Sequence, residues 1–197
     1  MGLSTKGTEI YTKMFPDYYV DPVPYLHGTV NASTGAISKP TTFWRDSYGG
    51  GISGIGDLYI ARTESDSGST GKPVINVYSN NNNPKLVVHC DVFMLPACGD
   101  STEHMLFDPT GKYLLFTDEN AEHVVVTYVD ATDNTLIESG AIIPGFPYGI
   151  TFSPSGLMLY TLELGNVHSY VFNPHSGLFT AKSAFNDYSV SALIPAK

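Results

Sequence analysis

Positive charge is what this chain has least of. Only 10 of its 197 residues are Lys or Arg, against 19 Asp or Glu, and the formal net charge is −9. A nucleic-acid binder displaces phosphate counterions with clustered Lys and Arg, and an anionic membrane surface asks for a similar basic patch. Neither partner is expected. The acidity reads as solubility. No apolar run approaches the roughly 18 residues of a membrane span. The opening stretch MGLSTKGTEIYTKMF lacks the apolar middle of a secretory signal. A cytoplasmic location is therefore expected, with a secreted origin left open. Lys6 breaks the myristoylation pattern that Gly2 would begin. Cysteine is nearly missing: Cys90 and Cys98 are too few for a disulfide scaffold. Two readings of them stand, a pair across a short loop in an oxidising compartment or two small buried apolar residues. No spacing of His, Cys, Asp and Glu fits a zinc or EF-hand site, so neither a metal nor another cofactor is expected.

What is present points to strands. Apolar residues make up 42% of the chain, and Gly (19), Pro (13) and Tyr (13) are frequent. Short strands joined by tight turns have this composition. The strongest signal is a sentence written twice. FDPTGKYLLFTDE at residues 107–119 returns as FSPSGLMLYTLE at 152–163, forty-five residues later. A period of this size marks one supersecondary unit repeated. The first copy reads as four strands, EHMLFD, KYLLFTD, AEHVVVTYVDA and TLIESGAII. The second reads YGITFS, LMLYTLE, NVHSYVF and LFTAKSA. Four short antiparallel strands in about 45 residues make a β-propeller blade.

Two eroded copies precede these. GDLYIAR (56–62) matches a second strand, and PVINVYSNNNNPKLVVHCD (73–91) supplies a third and fourth, with the first strand inside TFWRDSYGGGISGI. Earlier, GTEIYT (7–12) reads as a second strand, and VPYLHGTVNASTGAISKP (23–40) ends like YVDATDNTLI. The expected fold is all-β: a single propeller domain over 1–197, with blades at about 1–42 plus 188–196, 43–92, 101–142 and 147–184. YSVSALIPA (188–196) is the leftover strand expected to complete the first blade, so that the termini share it and no sheet edge is left open. In the alternatives, the chain is a fragment of a longer protein, or half of a larger ring that a second copy completes.

Three polar stretches read as loops. GGGISG (49–54) satisfies G-x-G-x-x-G literally, but a strand rather than a helix follows it. GSTGKP (68–73) is too short for a P-loop and reads as a turn in a long hairpin. SNNNNP (79–84) reads as a polar turn. The sequon Asn31-Ala32-Ser33 is of a kind common by chance.

The stretches HMLFDPTGKYLLFTDENAEHVVVTYVDATDNTL and YGITFSPSGLMLYTLELGNVHSYVFNPHSGLF resemble blades of the lactonase-type β-propellers, which include 6-phosphogluconolactonases and carboxy-cis,cis-muconate cyclases. The likeness covers residues 101–184. It implies a lactonase or cycloisomerase acting on a small organic-acid lactone without metal or nucleotide. The other reading is a non-catalytic propeller serving as a binding or assembly module. The resemblance also implies a His, a Glu and one or more Arg at the central mouth. A carboxyl or imidazole moves the proton there, and a guanidinium holds the carboxylate. Glu163, in YTLELGN, matches the family Glu best. His104 lies one residue from the inner-strand His, a slot that Glu103 fits better, and such an offset turns a side chain to the other face. Tyr148 stands where the next blade would carry its Arg. Arg45 and Arg62, in the eroded second blade, are the guanidinium candidates for the mouth. His123, His168 and His175 read as packing or solvent residues on or beside third strands.

Overall fold

In a computed structural model, the described residues are 2–3, 9–13, 23–46, 52–55, 59–65, 73–79, 85–90, 104–118, 123–130, 132–133, 135–145, 147, 149–153, 155–163 and 166–186. They form four four-stranded antiparallel sheets and no helix. The first blade is β1 (Gly2–Leu3), β2 (Glu9–Lys13), β3 (Val23–Thr29) and β4 (Thr41–Asp46). The second is β5 (Ile52–Ile55), β6 (Tyr59–Ser65), β7 (Pro73–Ser79) and β8 (Leu86–Cys90). The third is β9 (Met105–Phe107), β10 (Tyr113–Asp118), β11 (His123–Asp130) and β12 (Thr135–Pro144). The fourth is β13 (Gly149–Phe152), β14 (Met158–Glu163), β15 (Asn166–Asn173) and β16 (Leu178–Asn186). Each sheet is a meander whose strands pair in sequence order. The innermost strands follow one another, β1 against β5, β5 against β9 and β9 against β13. Outer strands meet likewise, β8 with β12 and β12 with β16. This is the β-propeller arrangement.

The repeated sentence is the turn between a blade's first two strands. In the third blade the Asp108 carboxylate is fully buried. It accepts the N–H of Tyr113 (2.7 Å), and the N–H (3.0 Å) and hydroxyl (2.5 Å) of Thr110. In the fourth blade Ser153 takes the same place and accepts the N–H of Met158 at 3.2 Å. The glycine three residues on, Gly111 or Gly156, adopts the left-handed conformation that closes the turn. The turn from third to fourth strand repeats as well. Asn31, Asp130 and Asn173 each accept backbone N–H groups two and three residues ahead, a side-chain mimic of a backbone turn.

Two apolar layers join the later blades. Between the second and third lie Ile55, Ile75, Val77, Val88, Phe107, Leu114, Phe116 and Val125. Between the third and fourth lie Tyr113, Leu115, Val124, Val126, Phe152, Leu159, Tyr170 and Phe172. The second blade's other face carries a polar cluster: His89 Nδ1 is 2.7 Å from Asn76 Oδ1, and Asn76 donates to the Tyr78 hydroxyl at 3.4 Å. In every blade the register slips between the third and fourth strands, at Tyr25/Leu26, Val77/Tyr78, Val125/Thr127 and Ser169/Tyr170. Such bulges increase local twist and let the outer strand splay.

Several expectations need correcting. The place beside β2 reserved for residues 188–196 is taken by β1, with Gly2 opposite Tyr11 and Leu3 opposite Ile10. Residues 187–197 lie outside the described residues. The first blade's outer strand begins at Thr41, so TFWRD belongs to it and not to the second blade. Part of the presumed loop GGGISG is strand, since Ile52–Ile55 is β5. Its small residues suit the crowded inner position: Ser53 Oγ accepts the N–H of Phe107 from the neighbouring inner strand at 3.2 Å. Cys90, buried in β8, is disulfide-bonded, which favours the paired reading over that of a small buried apolar residue. Cys98 lies outside the described residues.

Candidate functional site

Antiparallel alternation gives each blade two ends. At one, here the upper, first and third strands begin and second and fourth strands finish. The lower end carries the repeated Asp108 and Ser153 turns. Adjacent blades align: Pro109 lies against Gly156 at the lower end, and Glu163 lies against Gly145 at the upper.

Glu163 is the last residue of β14, half-buried at the upper end. Pairing places Leu159 opposite Tyr170, Thr161 opposite His168 and Glu163 opposite Asn166. Alternation therefore puts Thr161, Glu163, His168 and Tyr170 on one face. That face meets the third blade, because Leu159 and Tyr170 belong to the layer between the two. The carboxylate reaches across to the link that leaves β12. A Cβ built on Gly145, whose φ is +95°, would overlap the Glu163 carboxylate. Gly145 thus supplies both a backbone turn and the space that the carboxylate occupies.

Tyr170 is its phenolic neighbour. Burial pushes the Tyr170 hydroxyl above its ordinary pKa of 10.0. A hydrogen bond with Thr161 opposes the shift, and the Glu163 charge adds to it. A carboxyl group and a phenol held protonated thus lie together on the face of the fourth blade that packs against the third. One can accept a proton, and the other remains a neutral donor.

His104 precedes β9 at the same end of the third blade, half-buried. Its N–H donates to Thr117 Oγ1 at 3.2 Å, and its carbonyl accepts the Thr117 N–H at 3.0 Å. It stands on an innermost strand and Glu163 on a second strand, in adjacent blades. Arg45 is exposed on β4, the outermost strand of the first blade, which puts it at the periphery. Arg62 sits in β6 opposite Ile52 and Asn76, in register with the Asn76–His89 pair. Glu103 and Tyr148 lie outside the described residues. Among the described residues, no group of three or more His, Cys, Asp and Glu is placed to hold a metal ion.

Sequence reasoning passed over Gly145, Thr161 and Tyr170, and read His168 as a packing or solvent residue. The usable signal was register. Once Glu163 is fixed at a strand end, every second residue of β14 and its partners on β15 share its face.

No protein-family model and no curated protein matches the chain. Solved structures do. A periplasmic gluconolactonase from Pseudomonas aeruginosa superposes with a TM-score of 0.58 at 15% identity, over 99% of this chain and 57% of that one. A candidate 6-phosphogluconolactonase from Bacteroides fragilis gives 0.56 at 16%, over 94% and 53%. The β-propeller domain of Myceliophteria thermophila Cps50 gives 0.54 at 10%, over 95% and 58%. The chain thus spans little more than half the length of these structures. At such identities the likeness is one of fold, and the chain has the β-propeller fold of which lactonases are one group of users.

Proposed function

We propose that the chain is a lactonase-type propeller that hydrolyses a small organic-acid lactone at the upper end of the joint between its third and fourth blades. The observation that carries this reading is the seat of Glu163: a half-buried carboxylate at a strand end, held in the space left by Gly145 and beside a protonated phenol. Neighbours named as gluconolactonase and 6-phosphogluconolactonase support the chemical class. Glu163 removes a proton from water as the water attacks the lactone carbonyl. The ring C–O bond then breaks, the departing alkoxide takes that proton from Glu163, which restores the base, and a hydroxy acid leaves. Tyr170 stands beside the Glu163 carboxyl group and stays neutral while negative charge develops. His104, at the same end, is the second candidate for proton transfer.

Glu163→Gln keeps the shape and loses the base. Its kcat should fall about 10²-fold or more, with the melting temperature unchanged. The assay is pH-stat hydrolysis of a panel of γ- and δ-lactones. A wild-type chain that opens none of them, or a Gln variant with full activity, sinks the proposal.

A propeller that binds without turnover is the second reading. Tyr148 in place of the expected Arg favours it, and a structure of a nidogen–laminin complex, itself an assembly, matches at a TM-score of 0.53 and 14% identity. Under this reading lactones or their hydroxy acids bind with unchanged affinity to wild type and Glu163→Gln, and neither turns over.

A further inference from the structure

The joint between the third and fourth blades has two halves. One is the third blade's forward face, where Tyr113 and Leu115 are buried. The other is the fourth blade's rear face, which brings the paired Phe172 and Phe179 and the turn ending in Gly177. Gly177 is packed so tightly that a Cβ there would overlap the Tyr113 ring. Lys112 Nζ and the Tyr113 hydroxyl both donate to the His175 carbonyl in that turn, at 3.1 and 3.2 Å. The second and third blades meet in the same way, with Val129 paired to Leu136 and both buried against the second blade.

Among the described residues, both halves of this joint recur unmated at the two ends of the fan. On the first blade, Asn31 begins the same turn as Asn173. Gly35, with φ +71°, answers Gly177, with φ +72°. Val30 is bridged to Ile37 as Phe172 is paired to Phe179. Yet a Cβ on Gly35 would meet nothing within 4 Å, and Ile37 is 58% exposed. On the fourth blade, Met158 and Tyr160 occupy the positions of Tyr113 and Leu115, counted from the turn residues Ser153 and Asp108. They alternate with Leu159, so they face away from the third blade, and both are only half-buried. Leu157, in the place of Lys112, is 52% exposed. Among the described residues, no packing between the first and fourth blades compares with that between the others.

We propose that the fourth blade's forward face receives the first blade's rear face of a second copy of this chain, and that the reciprocal contact forms at the other end. The result is a two-fold dimer with two identical joints, a ring of eight blades. Each face is complementary to one that the chain itself carries, so the partner of fitting shape is this chain.

Sedimentation velocity of the full chain across nanomolar to high micromolar concentration tests this. The wild type should sediment at twice the chain mass. Ile37→Glu and Tyr160→Glu, each on one half of the joint, should each weaken the dimer by about 30-fold or more. Neither position is in a buried layer, and mixing the two variants provides the control for folding. A mixed pair holds one wholly wild-type joint and one carrying both glutamates, so the equimolar mixture should dimerise more tightly than either variant alone. A wild type that stays monomeric at every concentration overturns the proposal, whether the chain closes on itself or meets another protein. So do variants that dimerise as tightly as the wild type, and a mixture no tighter than its components.

Discussion

At Gly145 one methyl group is enough to disturb the site. Alanine there would adopt an unfavourable positive φ, at a cost of roughly 1 kcal/mol or more, and its Cβ would push the Glu163 carboxylate away. Gly145→Ala should therefore lower lactone hydrolysis about 10-fold or more through misplacement of the base, and lower the melting temperature by a few degrees. Kinetics and a thermal melt measure the two effects separately. Tyr170 gives a pH signature. Its hydroxyl is held above 10.0 in the folded chain, so above that pH the unfolded chain loses this proton first. The folded state then binds more protons, and stability falls as pH rises. The penalty is absent below pH 10.0 and grows as pH climbs through the folded value. Tyr170→Phe should flatten the loss of melting temperature above that pH, and at neutrality it should cost only the lost hydrogen bond to Thr161, about 1 kcal/mol. Of these residues only Glu163 was legible in the sequence, because a strand-end acid matched a motif. Thr161 and Tyr170 look like any strand packers, and Gly145 like any linker glycine, until register and neighbouring blade are known.

Single elements differ in how much they depend on one side chain. The two copies of the repeated turn are alike in outline but not in chemistry. Asp108 accepts three hydrogen bonds from a buried position, whereas Ser153 accepts one from a backbone N–H and shares a hydroxyl–hydroxyl bond with Ser155 at 3.0 Å. Asp108→Ala strands two backbone donors and a hydroxyl and should cost about 2–4 kcal/mol. Ser153→Ala should cost about 1 kcal/mol. Urea unfolding of the two variants measures the difference, and equal costs would count against a shared turn with unequal anchoring. This turn was the most legible part of the sequence, since its residue types are dictated by backbone geometry that no neighbour can override. The inner strands were the least legible. β1 is two residues long and carries no pattern, and β5 contains Ser53 and Gly54, whose small size serves the approach of β9 but reads as loop.

For the whole molecule, the far-ultraviolet circular dichroism spectrum should show a single strand minimum and no helical double minimum, in keeping with the helix-free described residues. The blade count was legible because the period survives even where individual strands erode. The closure was not: nothing in residues 2–3 marks them as the strand that completes a sheet. Their pairing has a kinetic meaning. A blade finished by the far terminus would require contacts between residues almost a chain length apart. Leu3 instead pairs with Ile10, and the longest strand pairing within the first blade joins Val23 to Asp46. Loop closure over such short separations costs little entropy, and low contact order favours rapid folding even in an all-β chain. Each blade can therefore form as soon as its own forty-odd residues leave the ribosome, without waiting for the last residue to be made.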